Sequence, residues 1–193
     1  MTHPDPAKYV WWLASRSAGI VALILVSTSV LIGLAMATRL IRRRGATRAL
    51  LRVHEQTALA GLGALAVHGL TLLGDGWLRP GLTGVAVPFA MSYRPFYTGL
   101  GILAAYLAAL LGLSFYARRH IGARLWRKAH RATVLVWVLG VVHTLGAGTD
   151  AGSAWLRAIV LAPLPLIAGL FAYRTLGGRP GLSGRLGAGL GSR

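Results

Sequence analysis

The stretch LASRSAGIVALILVSTSVLIGLAMAT, residues 13–38, decides the fold. A helix that crosses the hydrocarbon core of a bilayer needs roughly 20 predominantly apolar residues, and this run exceeds that length. Its apolar residues do not alternate with polar ones, so it reads as a helix and not as a barrel strand. Working outward, further runs of nearly that length occupy His54–Gly74, Tyr93–Tyr116, His130–Gly148 and Trp155–Tyr173. The expected architecture is all-α: an integral membrane helical bundle of about five transmembrane helices. It would fill residues 13–176, with an N-terminal arm at 1–12 and a tail at 177–193. Pro163 and Pro165 interrupt the last run, which is read as a kinked span whose freed carbonyls are satisfied by neighbouring helices. The tail is rich in Gly, Arg and Ser and has no apolar periodicity, the composition of a disordered segment.

Composition agrees with a membrane protein. The chain is 55% hydrophobic, has a mean hydropathy of +0.60 and carries four acidic residues against 21 Lys and Arg, which excludes an ordinary soluble domain. The cations fall between the apolar runs. Six lie in Arg39–Arg52, six in Arg118–Arg131 and four from Arg174 onward, all on one side of the bundle. Lys8, Arg16, Arg79, Arg94 and Arg157 lie on the other side with Asp5, Asp75 and Asp150. Cationic loops are retained in the cytoplasm. The N-terminus is therefore expected outside and the C-terminus in the cytoplasm, in a multi-pass protein of the plasma membrane. Ala35-Met36-Ala37 mimics a signal-peptidase site, but the run before it is long and Asp5 spoils the basic leader. Nucleic acid is excluded as a partner, because a nucleic-acid binder gathers its cations on one water-facing surface. Short basic loops fixed at a bilayer favour anionic lipid headgroups instead.

The absence of cysteine removes disulfides, iron–sulfur clusters, c-type haem attachment and thiolate chemistry together. Any redox cofactor must be held by other ligands. Six histidines occur; His3 and His120 lie in polar segments, whereas His54, His68, His130 and His143 lie on two of the expected helices. Fourteen residues separate His54 from His68, which places them within about 40° on one helix face and roughly 21 Å apart along the axis. That excludes one shared ion, and the i, i+3 or i, i+4 spacing of helical zinc and di-iron sites does not occur. His130 and His143 are separated by roughly 19.5 Å, so the two pairs match in depth. His54 is level with His130, and His68 with His143. Two imidazoles from different helices at each level are the arrangement that clamps a planar porphyrin through both axial positions. Thirteen residues of ideal helix would rotate His143 by about 220° from His130, so a bulge, a kink or a distorted helix start is expected there. Ala58, Gly61, Leu65 and Gly140 lie beside the histidines and serve either haem clearance or close helix packing.

At these residues the chain resembles the ferric-reductase-like transmembrane domain shared by ferric reductases, NADPH oxidases and bacterial relatives. The resemblance covers about residues 10–175 and rests on the two histidine pairs, on Tyr93-Arg94-Pro95, on Leu125-Trp126-Arg127-Lys128-Ala129-His130-Arg131 and on Gly148-Thr149-Asp150. It implies two haem b groups, an inner one on His54 and His130 and an outer one on His68 and His143, with these four residues as axial iron ligands. Larger eukaryotic members have six helices and a cytoplasmic flavin and nicotinamide module. Here a separate flavoprotein reductase or a quinol donor is expected, so that flavin or quinone acts through a partner. Gly61-Leu62-Gly63-Ala64-Leu65-Ala66 mimics a dinucleotide fingerprint but has no preceding strand.

With both irons closed by histidine, transfer would be outer-sphere: from a cytoplasmic or membrane donor to the inner haem, then to the outer haem, then to an extracytoplasmic acceptor. Arg52, Arg127 and Arg131 flank the inner pair and Arg94 the outer one, where they can hold haem propionates, although topology alone also accounts for arginines at these positions. Trp137 lies midway along the fourth run and is read as core or as a residue between the haems. Glu55, the one acid beside the inner pair, can tune His54, accept a proton or pair with arginine. Three rival functions remain: a cytochrome b561-like, quinol-linked cytochrome b; the electron-supplying haem subunit of a methionine sulfoxide repair system; and a haem-free transporter whose histidines relay protons.

Overall fold

A computed structural model describes residues 9–38 and 44–176. The N-terminal residues 1–8 with His3, the segment 39–43 and the tail 177–193 lie outside the described residues. Regular structure among the described residues is helical: α1 (Val10–Ala37), α2 (Arg44–Leu72), α3 (Gly81–Ala86), α4 (Pro95–Leu113), α5 (Arg118–Ile121), α6 (Ala123–Ala129), α7 (Thr133–Ala147), α8 (Ala154–Leu161) and α9 (Leu164–Leu176), with a 3₁₀ turn at His130–Ala132 between α6 and α7.

Four of these segments are long and apolar enough to cross a membrane: α1, α4, the α6–α7 unit Ala123–Ala147 and the α8–α9 unit Ala154–Leu176. The chain is an all-α helical membrane bundle. The second expected span, α2, is 29 residues long against 28 for α1, but its histidines, Glu55 and three arginines make it less apolar than the other four. It nonetheless occupies the same slab, because it runs antiparallel along α1 with Ser15 against His68 and Ser29 against His54. The helix also begins ten residues before the expected boundary at His54. Residues 44–53 are mostly Ala, Leu and Arg, good helix formers, so part of the arginine-rich segment read as a loop is the first turns of α2.

The expected kink in the last span is a break. Two residues, Ala162 and Pro163, separate α8 from α9. Pro165 carries no N–H and its ring crowds the carbonyl a turn earlier, and the ladder resumes with Ile167 donating to the Pro163 carbonyl at 2.9 Å.

The bundle is two hairpins laid side by side. α1 packs lengthwise on α2 and α4 on α7, whereas the backbones of α2 and α7 stay apart. α1 joins the hairpins to α8 and α9 through two buried clusters, Val30, Leu34, Trp137 and Ile167 in one and Leu23, Leu156 and Val160 in the other. Trp137 is thus a core residue, 3% exposed, and its indole N–H donates to Ser27 Oγ at 2.9 Å. Leu70, Leu82 and Leu110 remain largely exposed, as expected of a surface solvated by lipid, in which packing and interhelical hydrogen bonds replace the hydrophobic effect between helices.

At one end, Arg16 of α1 forms an ion pair with Asp150, which follows α7. Its guanidinium also stands 5.1 Å from the Trp12 ring centroid and 5.8 Å from that of Trp155. This clamp ties the start of α1 to the start of α8. Arg16→Asp sets two carboxylates side by side and should cost on the order of 1 kcal/mol, read as a lower melting temperature in detergent. Adding Asp150→Arg should recover part of that loss; a double variant no more stable than the single would remove the ion pair from the account.

Candidate functional site

His54 and His68 project from one face of α2 toward the gap between the hairpins. Across the gap, the His54 ring centroid is 6.1 Å from that of His130, and the His68 centroid 6.2 Å from that of His143. The pairs are those that the matched depths anticipate. The 13-residue spacing is accommodated by the 3₁₀ turn on which His130 sits. Such a turn advances each residue by about 120° instead of 100°, so three residues of it bring His130 roughly 60° nearer to the face of His143.

Hydrogen bonding fixes the rings. His54 Nδ1–H donates to the Ser29 carbonyl at 2.9 Å, His68 Nδ1–H to the Ser15 carbonyl at 2.8 Å and His143 Nδ1–H to the Tyr97 carbonyl at 2.9 Å. A carbonyl only accepts, so each of these three Nδ1 atoms carries the proton, which leaves Nε2 as the lone-pair nitrogen of its ring. At the His68/His143 level both rings thus keep Nε2 free to bind a cation placed between them. Two imidazoles bound to opposite faces of one metal ion, at metal–nitrogen distances of about 2.0 Å, stand with centroids roughly 6 Å apart, the separation found at both levels. Among the described residues, no three His, Asp or Glu side chains converge. Each level therefore offers two axial nitrogens and no equatorial ligand, a donor set that fits a metal already held in the plane of a macrocycle.

The fit extends to the surroundings. A cavity of about 290 Å³ lies at the His68/His143 level, bordered by Leu65, Gly140, Trp137 and Arg16 as well as by the two rings. The small residues named from sequence divide between the two expected roles. Gly61 packs against Leu25 and Val26 of α1, whereas Gly140 faces open space. The residues that seat the histidines were not legible as such. Gly19 of α1 lies against His68, Gly33 against His54, and Gly101 of α4 against His143. Ser15 and Ser29 approach the same rings with their hydroxyls, Oγ to Nδ1 at 3.0 and 3.1 Å.

His130 is the exception. Its Nδ1 is buried without a hydrogen-bond partner, as is Trp126 Nε1, and the two rings stack at 4.9 Å. Arg52, Arg127 and Arg131 are exposed at this end. Arg94 caps α4 in a left-handed conformation, donates to the Gly146 carbonyl and lies over Tyr93; it is Arg16, not Arg94, that borders the cavity. His120 is exposed on α5. Glu55 accepts a hydrogen bond from the Tyr116 phenol at 3.1 Å.

The sequence was compared with known proteins. The family model described as ferric reductase like transmembrane component matches residues 18–141. The match spans more than half of the 193 residues and includes His54, His68 and His130, with His143 two residues past its end. No curated protein and no solved structure matches the chain. The two facing histidine pairs and this match lead to the same family: the chain belongs to the ferric-reductase-like transmembrane components.

Proposed function

We propose that this protein carries electrons across the membrane through two b-type haems, one on His54 and His130 and the other on His68 and His143. The observation that carries the reading is the pair of closely apposed imidazoles at each level, three of whose four rings are fixed by an Nδ1 hydrogen bond to a backbone carbonyl. Membership of the ferric-reductase-like family supports a transmembrane electron-transfer role. Haem held by these four histidines would supply reversible one-electron chemistry.

The chain's own residues position, insulate and neutralise. The carbonyls of Ser15, Ser29 and Tyr97 orient the rings and raise their basicity. Trp137 and the clusters around it exclude lipid and water between the levels. The arginine distribution supports a His54/His130 level on the cytoplasmic side. There Arg52, Arg127 and Arg131 hold the carboxylates of the inner group. At the outer level Arg16 borders the cavity, and Arg94 keeps donors beyond the one it gives to Gly146. A separate donor on the cytoplasmic or membrane side delivers electrons to the inner level, and an extracytoplasmic acceptor collects them at the outer one.

The test is an optical spectrum of haem-supplemented, detergent-purified protein, oxidised and dithionite-reduced, with a pyridine haemochrome count. Two low-spin b haems per chain are expected. A folded protein that takes up no haem would end this reading.

A further inference from the structure

Between α4 and α7 the chain turns through two short helices set at a corner. α5 is capped by Gly122, whose φ of 87° lies in the left-handed region, and α6 starts at the next residue. Glycine takes that φ without the strain a side chain would bring, and its N–H donates to the Arg118 carbonyl at 3.1 Å. The corner opens a groove of about 320 Å³ lined by Ile121, Gly122, Arg124, Leu125 and Lys128. Trp126 turns the other way, half-buried against Phe115 and His130. At about 100° per residue, Arg124 and Lys128 come to the side of α6 opposite Trp126, with Leu125 beside them.

Two kinds of side chain share this groove. Ile121 and Leu125 are 40% and 60% exposed. Arg124 and Lys128, four residues apart on α6, bring like charges together at its edge. Among the described residues neither has an acidic partner, and the sequence holds no Asp or Glu between Asp75 and Asp150. Glu55, the acid at this end of the bundle, accepts from Tyr116. α6 also begins the membrane-spanning segment Ala123–Ala147, which sets the groove at the depth where hydrocarbon gives way to headgroups. Topology accounts for cations in this connection, but not for two exposed aliphatic side chains between them.

From this juxtaposition we infer that the α5–α6 groove binds one anionic glycerophospholipid, with its phosphodiester between Arg124 and Lys128 and its acyl chains against Ile121 and Leu125. This is a defined site, distinct from the diffuse attraction of a basic surface to a bilayer. A guanidinium and an ammonium both suit phosphate oxygens. A lipid presents its anion and its hydrocarbon in the order in which the groove offers cations and aliphatic carbon, whereas a free phosphate or an acidic protein segment answers the cations alone. Zwitterionic lipids are disfavoured, because choline or ethanolamine adds a cation where no carboxylate meets it. The inference does not depend on the haem reading.

Native mass spectrometry of the delipidated full chain in neutral detergent tests it, with phosphatidylglycerol and phosphatidylcholine of matched acyl chains as titrants. One phosphatidylglycerol should bind about tenfold more tightly than phosphatidylcholine, and Arg124→Gln/Lys128→Gln should lose about that factor, as expected for two interfacial cations. Arg124→Lys/Lys128→Arg should keep the lipid, and Ile121→Ser/Leu125→Ser should weaken it. Arg48→Gln/Arg119→Gln removes two exposed cations outside the groove and should change binding less than about twofold. Circular dichroism checks that each variant keeps its helix content. Equal losses in the two glutamine pairs would mean diffuse surface charge and overturn the site. Displacement of the lipid by equimolar glycerol phosphate or polyglutamate would overturn it as well, assigning the groove to a free phosphate or to an acidic protein.

Discussion

Replacing His54 or His130 with alanine is expected to remove the same haem, and replacing His68 or His143 to remove the other. The pairing follows from the two centroid distances, 6.1 and 6.2 Å, and from the Nδ1 bonds that fix the rings of His54, His68 and His143. Each single variant should lower the haem content from about two to about one per chain, or convert one haem to a high-spin form with a single axial ligand. A redox titration gives the decisive comparison. The parent should titrate as two components, the His54 and His130 variants should both retain one of them, and the His68 and His143 variants should both retain the other. Loss of the same component from His54 and His68 variants would mean that histidines on one helix act together, and the two-level arrangement would be wrong. A uniform loss of both haems from every variant in protein that is still folded would show the sites to be interdependent and would also defeat the assignment.

How much of this was legible in sequence differs between the histidines and what holds them. The four ligand candidates and their pairing follow from helical rise alone, since depth along an axis is linear in residue number. Facing is harder, because an ideal helix turns His130 away from His143 and only a local change of helix type restores it. Nothing in Ala129-His130-Arg131-Ala132 announces a 3₁₀ turn. The seat of the rings was missed for another reason: its acceptors are backbone carbonyls, which every residue has. There was still a trace. Ser15 and Ser29 are 14 residues apart, as are Gly19 and Gly33, and this is the spacing of His54 and His68. Two antiparallel helices in contact along their length must repeat complementary features at equal intervals, so the Ser-x-x-x-Gly repeat of α1 is the imprint of the two histidines of α2. A reading confined to ionisable residues passes over it. Similarly, the basic segment before His54 was read as a loop from its charge, whereas residues 44–53 are mostly helix formers and continue α2, because arginine tolerates a helix at a headgroup surface as readily as it does a loop.

The glycine seats lead to the second large effect. An added Cβ at Gly101 would meet the His143 ring, with Nδ1 at 2.5 Å and Cε1 at 2.7 Å. Tyr97, whose carbonyl holds that ring, lies one turn earlier on the same helix, and Gly146 on α7 in turn accommodates the Tyr97 ring. His143 is held to the Tyr97 carbonyl beside the cavity, so Gly101→Ala must either push the imidazole off that carbonyl or part α4 from α7. The expected result is loss of the outer haem nearly as complete as in His143→Ala, with the inner haem retained. The contacts at Gly19 and Gly33 are looser, 3.0 Å to the His68 ring and 3.2 Å to the His54 ring. Alanine there should leave both haems bound and shift the corresponding potential, more for Gly19 than for Gly33. Gly63, on α2 between the histidines, has nothing within 4 Å. Gly63→Ala should leave both haems intact and stabilise the helix slightly, as removal of a mid-helix glycine does. Haem counts and titrations of the four variants test the series as a whole. Were Gly101→Ala to keep its full haem complement, or Gly63→Ala to lose one, close approach of the helices would not be what seats the histidines.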